Sequence, residues 1–154
     1  MEDITYHKGY LPQEFCDYCI NHYKEHSTAW DIHEYWNSNE VTRGSPMFDR
    51  ALEVFTPIIG REIIVTRMNV TIYNVDDWLI DHKDANSTLT LVANLNEGYT
   101  GGMFRLNGKD IYDLRRGDVI MFNGARVPHG VSKVESGTRY SLNMWTQPKV
   151  KSLM

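Results

Sequence analysis

The second half of the sequence is a succession of short β-type segments, and this pattern limits the possible folds more than any other feature. The segments are rich in β-branched and aromatic residues, which favour strands. Turn signals such as Asn123-Gly124 and Ser136-Gly137 separate them. We expect strands at 63–73, 78–84, 88–96, 103–106, 111–112, 119–122, 129–134 and 138–147. This spacing predicts a double-sheet jelly roll.

Two amphipathic helices precede the strands. Apolar residues recur at helical spacing in 12–26. For the second helix, Ser45 is a favourable N-cap and Pro46 a favourable first residue, and Pro57 with Gly60 would end it. Both helices need an apolar surface to cover, and the strands supply one. The predicted fold class is therefore mainly β with flanking helices (α+β), with the two N-terminal helices packed on one sheet.

Residues 27–44, between the helices, lack a regular pattern. This segment either covers the core or forms a lid that contacts a substrate, because long loops in small domains are often functional. Three aromatic residues within it, Trp30, Tyr35 and Trp36, either line a substrate site or pack on the roll, and we favour packing.

The size and charge of the chain narrow its class. A chain of 154 residues fits one domain, 1–154, with a helical part at about 1–60 and a jelly-roll core at about 61–150. The net charge of −4 provides no field that would attract nucleic acid or an anionic membrane. No apolar run approaches the roughly 18 residues of a membrane span, and the acidic residues 1–5 do not resemble a signal peptide. We therefore expect a cytoplasmic protein.

Two predicted strands separate apolar from mixed residues. In 88–96 one face carries Leu89, Leu91, Ala93 and Leu95, and the other Thr90, Val92, Asn94 and Asn96. In 138–147 one face carries Tyr140, Leu142 and Met144, and the other Arg139, Ser141, Asn143 and Trp145. We expect the apolar faces to pack outward and the mixed faces to line the inside of the roll. A polar interior argues for a bound polar ligand, whereas mixed faces that meet solvent would need none.

Four residues along this series suggest a metal site. His82 and Asp84 are separated by one residue, so on a strand both side chains point to the same side. With His129 they provide two imidazoles and one carboxylate, the set that holds ferrous iron on one face and leaves three positions open. Arg139, on the next predicted strand, is a candidate for binding an anionic co-substrate. Each residue alone has an ordinary explanation, but their order favours a metal site.

A second possible site is the C-x-x-C formed by Cys16 and Cys19, which can indicate redox chemistry or half a zinc site. We interpret the two thiols as small buried apolar groups, because they share one face of the predicted helix. A tetrahedral zinc site takes ligands from more than one element. His22 and His26 follow on the same helix, and a zinc site with all four is the weaker alternative.

At these residues the sequence resembles a known family, the iron(II)- and 2-oxoglutarate-dependent dioxygenases, and within it the prolyl 4-hydroxylase-like branch. The resemblance covers about residues 62–147. It is carried by the stretches 67–73, 82–84, 95–96 with 101–102, 117–118 with 122, 128–131, and 137–145. It implies a cupin-like double-stranded β-helix, which is the jelly roll that the strand pattern predicts.

The resemblance implies roles for the four site residues. His82, Asp84 and His129 would be the iron ligands and the catalytic centre, and Arg139 would pair with the distal carboxylate of 2-oxoglutarate. Fe(2+) would be the metal, 2-oxoglutarate and O2 the co-substrates, and ascorbate an additional cofactor.

Further residues of the co-substrate site follow by position. Tyr73 matches a family tyrosine whose hydroxyl reaches the co-substrate or metal region. Ser141 and Thr90 would add hydrogen bonds. Asn94 stands where oxygen-sensing animal relatives have a second tyrosine, and would donate a hydrogen bond in its place.

The implied reaction couples decarboxylation of 2-oxoglutarate, to succinate and CO2, with hydroxylation of an unactivated C–H bond. Halogenating relatives have a small residue where Asp84 stands, so its carboxylate favours hydroxylation. Relatives that demethylate nucleic acids carry a second arginine where Trp145 stands here, which argues against a nucleic-acid substrate. Peptidyl proline is the leading substrate.

Two alternatives stay open at this stage. The substrate could be a free amino acid or small metabolite, since the ligand set does not distinguish it from a peptide. The chain could instead be a non-catalytic, cupin-like metal-binding module, because jelly rolls host many functions. Substrate contacts are expected in 27–44 and around Asn86. The oligomeric state is left open.

Overall fold

The computed structural model describes residues 4–149. Within them lie two α-helices, α1 (Gln13–His26) and α2 (Pro46–Ile59), and a 3-10 turn (Ala29–Asp31). The strands are β1 (Ile4–His7), β2 (Asn37–Glu40), β3 (Ile63–Tyr73), β4 (Leu79–His82), β5 (Thr90–Asn94), β6 (Thr100–Gly101), β7 (Phe104–Leu106), β8 (Lys109–Asp110), β9 (Val119–Phe122), β10 (His129–Val131), β11 (Val134–Ser136) and β12 (Arg139–Pro148). Residues 1–3, on which part of the signal-peptide prediction depends, lie outside this range.

The strands form two main antiparallel sheets. The six-stranded major sheet has the order β1-β9-β5-β12-β3-β2, and the four-stranded minor sheet has the order β4-β10-β7-β8. A small pair, β11-β6, extends the roll. The predicted jelly roll is therefore confirmed. In the described part of the chain, neither helix is long and apolar enough to cross a membrane.

The major sheet separates two apolar clusters. On its outer face α1 and α2 pack against residues such as Met68, Leu91 and Leu142. On its inner face Val92 joins Phe122 and other residues between the two sheets. The predicted division of the two strands into outward apolar and inward mixed faces is confirmed. The inner face is where polar side chains accumulate, and it is the face that positions the site.

The second helix starts as predicted and ends slightly later. Ser45 Oγ accepts a hydrogen bond from Phe48 N at 3.3 Å, and Pro46 is the first helical residue. Pro57 does not end the helix, because it lies within the last turn and the helix continues to Ile59. Gly60 ends it, with a φ of 87° that disfavours other residues.

The prediction of an irregular 27–44 segment is partly wrong. Asn37–Glu40 forms β2 at the edge of the major sheet, with Asn39 opposite Val70 of β3. The N-terminal Ile4–His7 also forms a strand, β1, on β9. Both β1 and β2 are edge strands of the major sheet, and each is held by backbone hydrogen bonds to the neighbouring strand. Neither therefore needs alternating apolar residues of its own. Of the three aromatic residues for which we favoured packing, Trp36 packs against the inner apolar cluster as predicted. Trp30 is 92% exposed and does not pack on the roll, and Tyr35 is 40% exposed.

Candidate metal centre

The two candidate histidine ligands meet because β4 and β10 pair. His82 ends β4, His129 begins β10, and the two residues face each other in the ladder. Gly130 allows this close approach, since a Cβ there would lie 2.6 Å from Leu79 O and 2.5 Å from Asp81 Oδ1. Asp84 follows β4 and is held by its own N–H, which donates to Gly124 O at 2.8 Å.

The triad side chains converge on one point. His129 Nε2 lies 2.9 Å from Asp84 Oδ2, and His82 Nε2 lies 3.3 Å from Asp84 Oδ1. One ligand atom from each residue lies within 4.8 Å of the others, and within residues 4–149 no other group of three such residues does so. The His82 side chain is 34% exposed and that of His129 is 5% exposed. The site is therefore open on the His82 side and closed on the His129 side.

Backbone carbonyls orient both imidazoles. His82 Nδ1 donates to Ile80 O at 2.8 Å, and His129 Nδ1 donates to Val127 O at 2.9 Å. A carbonyl only accepts, so each Nδ1 carries a proton, and Nε2 is the ring atom that faces Asp84. Without a metal, Nε2 of the protonated ring donates to the carboxylate, and in the neutral ring the same atom is free to bind a metal. Metal-binding histidines are usually oriented in this way.

The charges of the triad are coupled. Burial raises the pKa of the Asp84 carboxyl, but hydrogen bonds from His129 and His82 outweigh it and hold the pKa well below its usual range. The hydrogen bond with Asp84 raises the pKa of His82, against the opposing effect of burial. Asp84 is thus an anion at neutral pH, as a metal ligand requires.

Two further side chains contact the same carboxylate oxygen. Trp145 Nε1 donates to Asp84 Oδ2 at 3.1 Å, and Thr90 Oγ1 lies 3.5 Å from it. Gly124 faces this cluster, where a Cβ would lie 2.1 Å from Thr90 Oγ1. The sequence pattern placed Trp145 on the inward face of its strand but gave no sign of this contact with Asp84.

Arg139 lies on the inner face and is 1% exposed. Its Nε donates to Asn94 Oδ1 at 3.3 Å, while Nη2 is buried and has no hydrogen-bond partner among residues 4–149. The guanidinium also lies 5.6 Å from the centroid of the Tyr73 ring. A buried charge with so few partners is costly unless a counter-ion joins it. The position suits a carboxylate.

The other predicted co-substrate residues are buried around Arg139. Tyr73 is paired with Arg139 across β3 and β12, and Ser141 is paired with Asn94 across β12 and β5. Burial raises the pKa of Tyr73 to about 12, against the opposing effect of Arg139, so its hydroxyl stays neutral. Ser141 Oγ donates to Asn143 Oδ1 at 3.3 Å.

Tyr99 is a neighbour of this group that the sequence analysis missed. Its hydroxyl donates to Asn94 Oδ1 at 3.2 Å, the same oxygen that receives Arg139 Nε. Asn94 stands where oxygen-sensing relatives have a second tyrosine, and here the hydroxyl of Tyr99 lies beside that position. Tyr99 lies in the turn after β5, and the one available sequence signal was its closeness to the strand that carries Asn94.

The C-x-x-C motif is not part of a metal site within the described residues. Cys16 and Cys19 are free, buried, and part of the apolar cluster between the helices and the major sheet. Burial is the main cause that raises the pKa of Cys16 to about 11 and raises that of Cys19 as well. His22 and His26 stack on each other with ring centroids 4.1 Å apart. Our interpretation of the thiols as buried apolar groups agrees with this placement.

A family model decides the classification. The model of the 2OG-Fe(II) oxygenase superfamily matches residues 68–147, more than half of the chain. The chain belongs to this superfamily. It is therefore a 2-oxoglutarate-dependent oxygenase with Fe(2+) as its metal and 2-oxoglutarate and O2 as co-substrates. Ascorbate stays a prediction. No curated protein matches the sequence.

Solved structures share the fold of this 2OG-Fe(II) oxygenase. A Pseudomonas putida prolyl-4-hydroxylase is 18% identical, with a TM-score of 0.73 over 96% of this chain and 94% of that one. HygX from Streptomyces hygroscopicus, with nickel and 2-oxoglutarate bound, is 13% identical, with a TM-score of 0.78 over 97% and 84%; another structure of it holds hygromycin B. A prolyl hydroxylase from Trichoplax adhaerens, in complex with a hypoxia inducible factor peptide, is 17% identical, with a TM-score of 0.72 over 95% and 84%.

The residues of this chain fit both groups that its superfamily uses. Two imidazoles and one carboxylate are a suitable set for ferrous iron. The unpartnered Nη2 of the buried Arg139 needs an anion, and a 2-oxoglutarate carboxylate supplies one.

Proposed function

We propose that this oxygenase hydroxylates an unactivated C–H bond, with His82, Asp84 and His129 as the iron ligands and catalytic centre. Arg139 binds the distal carboxylate of 2-oxoglutarate. The proposal rests on two features found together: a convergent triad, and a buried arginine whose Nη2 has no hydrogen-bond partner in the described part of the chain. When bound, the iron and 2-oxoglutarate activate O2, and the products are succinate, CO2 and the hydroxylated substrate.

The chain itself holds the reacting groups in place. The backbone carbonyls of Ile80 and Val127 fix the two histidines, so their Nε2 atoms need no reorientation on metal binding. Phe122 packs edge-on against His129 at 4.8 Å between ring centroids and keeps water from that side. Asp84 leaves no room for a halide at its position, which favours hydroxylation.

The residues that we assign to 2-oxoglutarate binding are all buried, and their burial determines their roles. Arg139 provides charge in a water-excluded setting, where a charge-assisted pair is strong. Tyr73, Ser141 and Asn94 line the same face and orient the molecule by hydrogen bonds. Their side chains are neutral, so the distal carboxylate has one cationic partner.

For the substrate we propose peptidyl proline. The fold is shared with two prolyl hydroxylases, one of them in complex with a peptide. The alternative is a free amino acid or small metabolite, since HygX shares the fold and holds hygromycin B. The acidic net charge of −4 argues against nucleic acid.

The test is succinate formation from 2-oxoglutarate in the presence of ferrous iron. We expect turnover in the wild type, loss of turnover in H82A, D84A and H129A, and wild-type turnover in H26A, which removes an exposed histidine of α1. Normal turnover in D84A or H129A would disprove the proposal. A non-catalytic metal-binding module would bind iron in the wild type but would show no 2-oxoglutarate affinity, and R139A would change nothing.

A panel of candidate substrates tests whether the enzyme hydroxylates peptidyl proline. Proline-containing peptides and free amino acids are incubated with the iron-loaded enzyme and 2-oxoglutarate, and mass spectrometry detects the gain of one oxygen atom. Oxidation of a peptide at proline supports our choice. Oxidation of free amino acids alone replaces it with the alternative.

A further inference from the structure

Arg67 and Glu40 form an ion pair on the inner face of the roll, near the triad. Arg67 Nε donates to Glu40 Oε1 at 2.9 Å, and Nη2 donates to the same carboxylate. The guanidinium carbon of Arg67 lies 4.8 Å from the centroid of the Trp145 ring, and that indole donates its N–H to Asp84. One stacking contact and one hydrogen bond therefore connect the pair to a proposed iron ligand.

This pairing leaves one edge of the guanidinium free. A guanidinium has five N–H donors, and Glu40 occupies the side formed by Nε and Nη2. Among residues 4–149, no protein group accepts a hydrogen bond from Nη1 of Arg67. The edge formed by Nη1 and Nη2 is suited to an end-on carboxylate held by two parallel bonds. The Arg67 side chain is 56% exposed, so a ligand can reach this edge.

Stability alone does not account for the arrangement. An exposed ion pair contributes little to stability, because two long side chains lose freedom to form it. A guanidinium that is already fixed by Glu40 and Trp145 loses less freedom when it binds an anion. It is therefore organised for recognition.

Two anions act on Arg67 among residues 4–149: Glu40, which it binds, and Asp84, whose carboxylate accepts a hydrogen bond from Trp145. The other neighbours on the inner face are neutral and hydrogen-bonded to one another: Asn69 Nδ2 donates to Ser38 Oγ, and Asn143 Nδ2 donates to Asn69 Oδ1. Arg67 is thus a charged donor at the rim of a neutral polar surface.

We propose that the free edge of Arg67 binds a carboxylate of the substrate. The substrate is then an amino-acid or peptide compound that bears a carboxylate near the carbon that is oxidised. This inference rests on the proposed function, because it takes the triad as the place of oxidation. The carboxylate has two sources, the α-carboxylate of a free amino acid or an acidic side chain beside the target residue of a peptide.

The first test measures binding. The enzyme saturated with iron and 2-oxoglutarate is titrated under argon, by calorimetry, with N-acetylglycine and with its uncharged analogue N-acetylglycinamide. We expect the acid to bind the wild type at least about tenfold more tightly than the amide, the usual effect of a charged hydrogen-bond partner. In R67Q this ratio should fall to near one.

The matched control is R126Q, which removes an exposed arginine close to His129 in the chain. It should keep the wild-type ratio. The proposal is overturned if the acid does not bind the wild type saturably, if acid and amide bind equally, or if R67Q keeps the preference. A loss of preference in R126Q instead of R67Q would also overturn it.

The second test separates the two sources of the carboxylate. One pair of compounds is L-proline and L-prolinamide, and the other is a blocked peptide with Pro-Glu and its Pro-Gln counterpart. Preferential oxidation of L-proline supports the free amino acid, and preferential oxidation of the Pro-Glu peptide supports the peptide. Oxidation that ignores the carboxylate in both pairs overturns the proposal. Where neither pair is oxidised, the binding ratio decides.

Two measurements distinguish failure of the proposed function from failure of the Arg67 inference. In that case the wild type forms no succinate from 2-oxoglutarate with ferrous iron, and 2-oxoglutarate releases no heat when added to the iron-loaded protein. Failure of the Arg67 inference leaves both of these signals intact and removes only the preference for a carboxylate.

Discussion

Trp145 Nε1 donates a hydrogen bond to Asp84 Oδ2 at 3.1 Å. The same oxygen lies 2.9 Å from His129 Nε2, so the indole and the imidazole approach it together. An indole N–H is a donor only, and it therefore fixes the carboxylate without competing for the metal. The same tryptophan therefore contacts Asp84 through its N–H and Arg67 through the face of its ring.

We expect Trp145→Phe to weaken iron binding. Phenylalanine keeps a ring for Arg67 but removes the N–H that orients Asp84. Removing an outer partner of a metal ligand typically costs about 10–100-fold in affinity, and we expect a loss of at least about tenfold. Anaerobic calorimetric titration with ferrous iron measures it. Trp30→Phe, at a residue that is 92% exposed, is the control. Equal affinity in W145F and wild type would show that the contact does not position Asp84.

We expect Arg139→Met to abolish the response to 2-oxoglutarate without destabilising the ligand-free protein. Within the described residues, the buried guanidinium has one hydrogen bond, to Asn94, and its Nη2 has no partner. Replacing such a charge by an apolar side chain of similar length should leave the free energy of unfolding unchanged or raise it by about 1 kcal/mol. Urea unfolding measures this term.

Thermal unfolding measures the response to 2-oxoglutarate. 2-Oxoglutarate should raise the melting temperature of the wild type, since it binds only the folded state. It should leave that of R139M unchanged. R126M, which removes an exposed arginine, should respond as the wild type does. A loss of several kcal/mol in R139M would mean that Arg139 has a structural role instead.

The triad could be predicted because its signals are local. His82 and Asp84 alternate within one extended segment, and the strand pattern placed Arg139 on an inward face. Pairing between β4 and β10 was the step that required the fold, since His129 faces His82 only in the assembled ladder. The helix cap at Ser45 is also local, which is why it was predicted correctly.

The missed features depend on tertiary contacts. Asn37–Glu40 consists of polar residues with no apolar alternation, and it becomes a strand because β3 offers a free edge. Tyr99 lies beyond the end of β5, where strand alternation no longer gives the direction of a side chain. The turn that follows β5 brings its hydroxyl to Asn94, and no pattern in the sequence encodes that direction.

We expect the two cysteines to resist alkylation in the folded protein. Both are buried, and burial is the main cause that raises the pKa of Cys16 to about 11. At about pH 8 little thiolate is present, and the thiolate is the reactive form. Mass spectrometry after iodoacetamide treatment should show slow labelling without urea and fast labelling with it. Ser27→Cys adds an exposed thiol as a positive control. Fast labelling of the native wild type would contradict the buried placement.

Asp118 should stabilise the protein in a pH-dependent way. It is buried and accepts hydrogen bonds from Gly9 N at 2.6 Å, from Arg115 N at 2.7 Å and from Lys8 Nζ. Burial raises the pKa of its carboxyl, but these bonds outweigh burial and leave the pKa below its usual value. A carboxyl with a lowered folded-state pKa stabilises the fold above its unfolded pKa, about 4, and this contribution is lost as pH falls through the folded value.

Asp118→Asn should therefore lower the free energy of unfolding at neutral pH by about 1–3 kcal/mol, because an amide oxygen replaces a charged acceptor. The difference between wild type and D118N should shrink steadily as the pH falls below the unfolded pKa of about 4 and through the lower folded-state pKa. Urea unfolding across this range measures it, and Asp17→Asn, at an exposed position of α1, should show no comparable loss. A difference that stays constant with pH would assign the effect to side-chain shape, since only the ionised carboxylate makes the contribution depend on protonation.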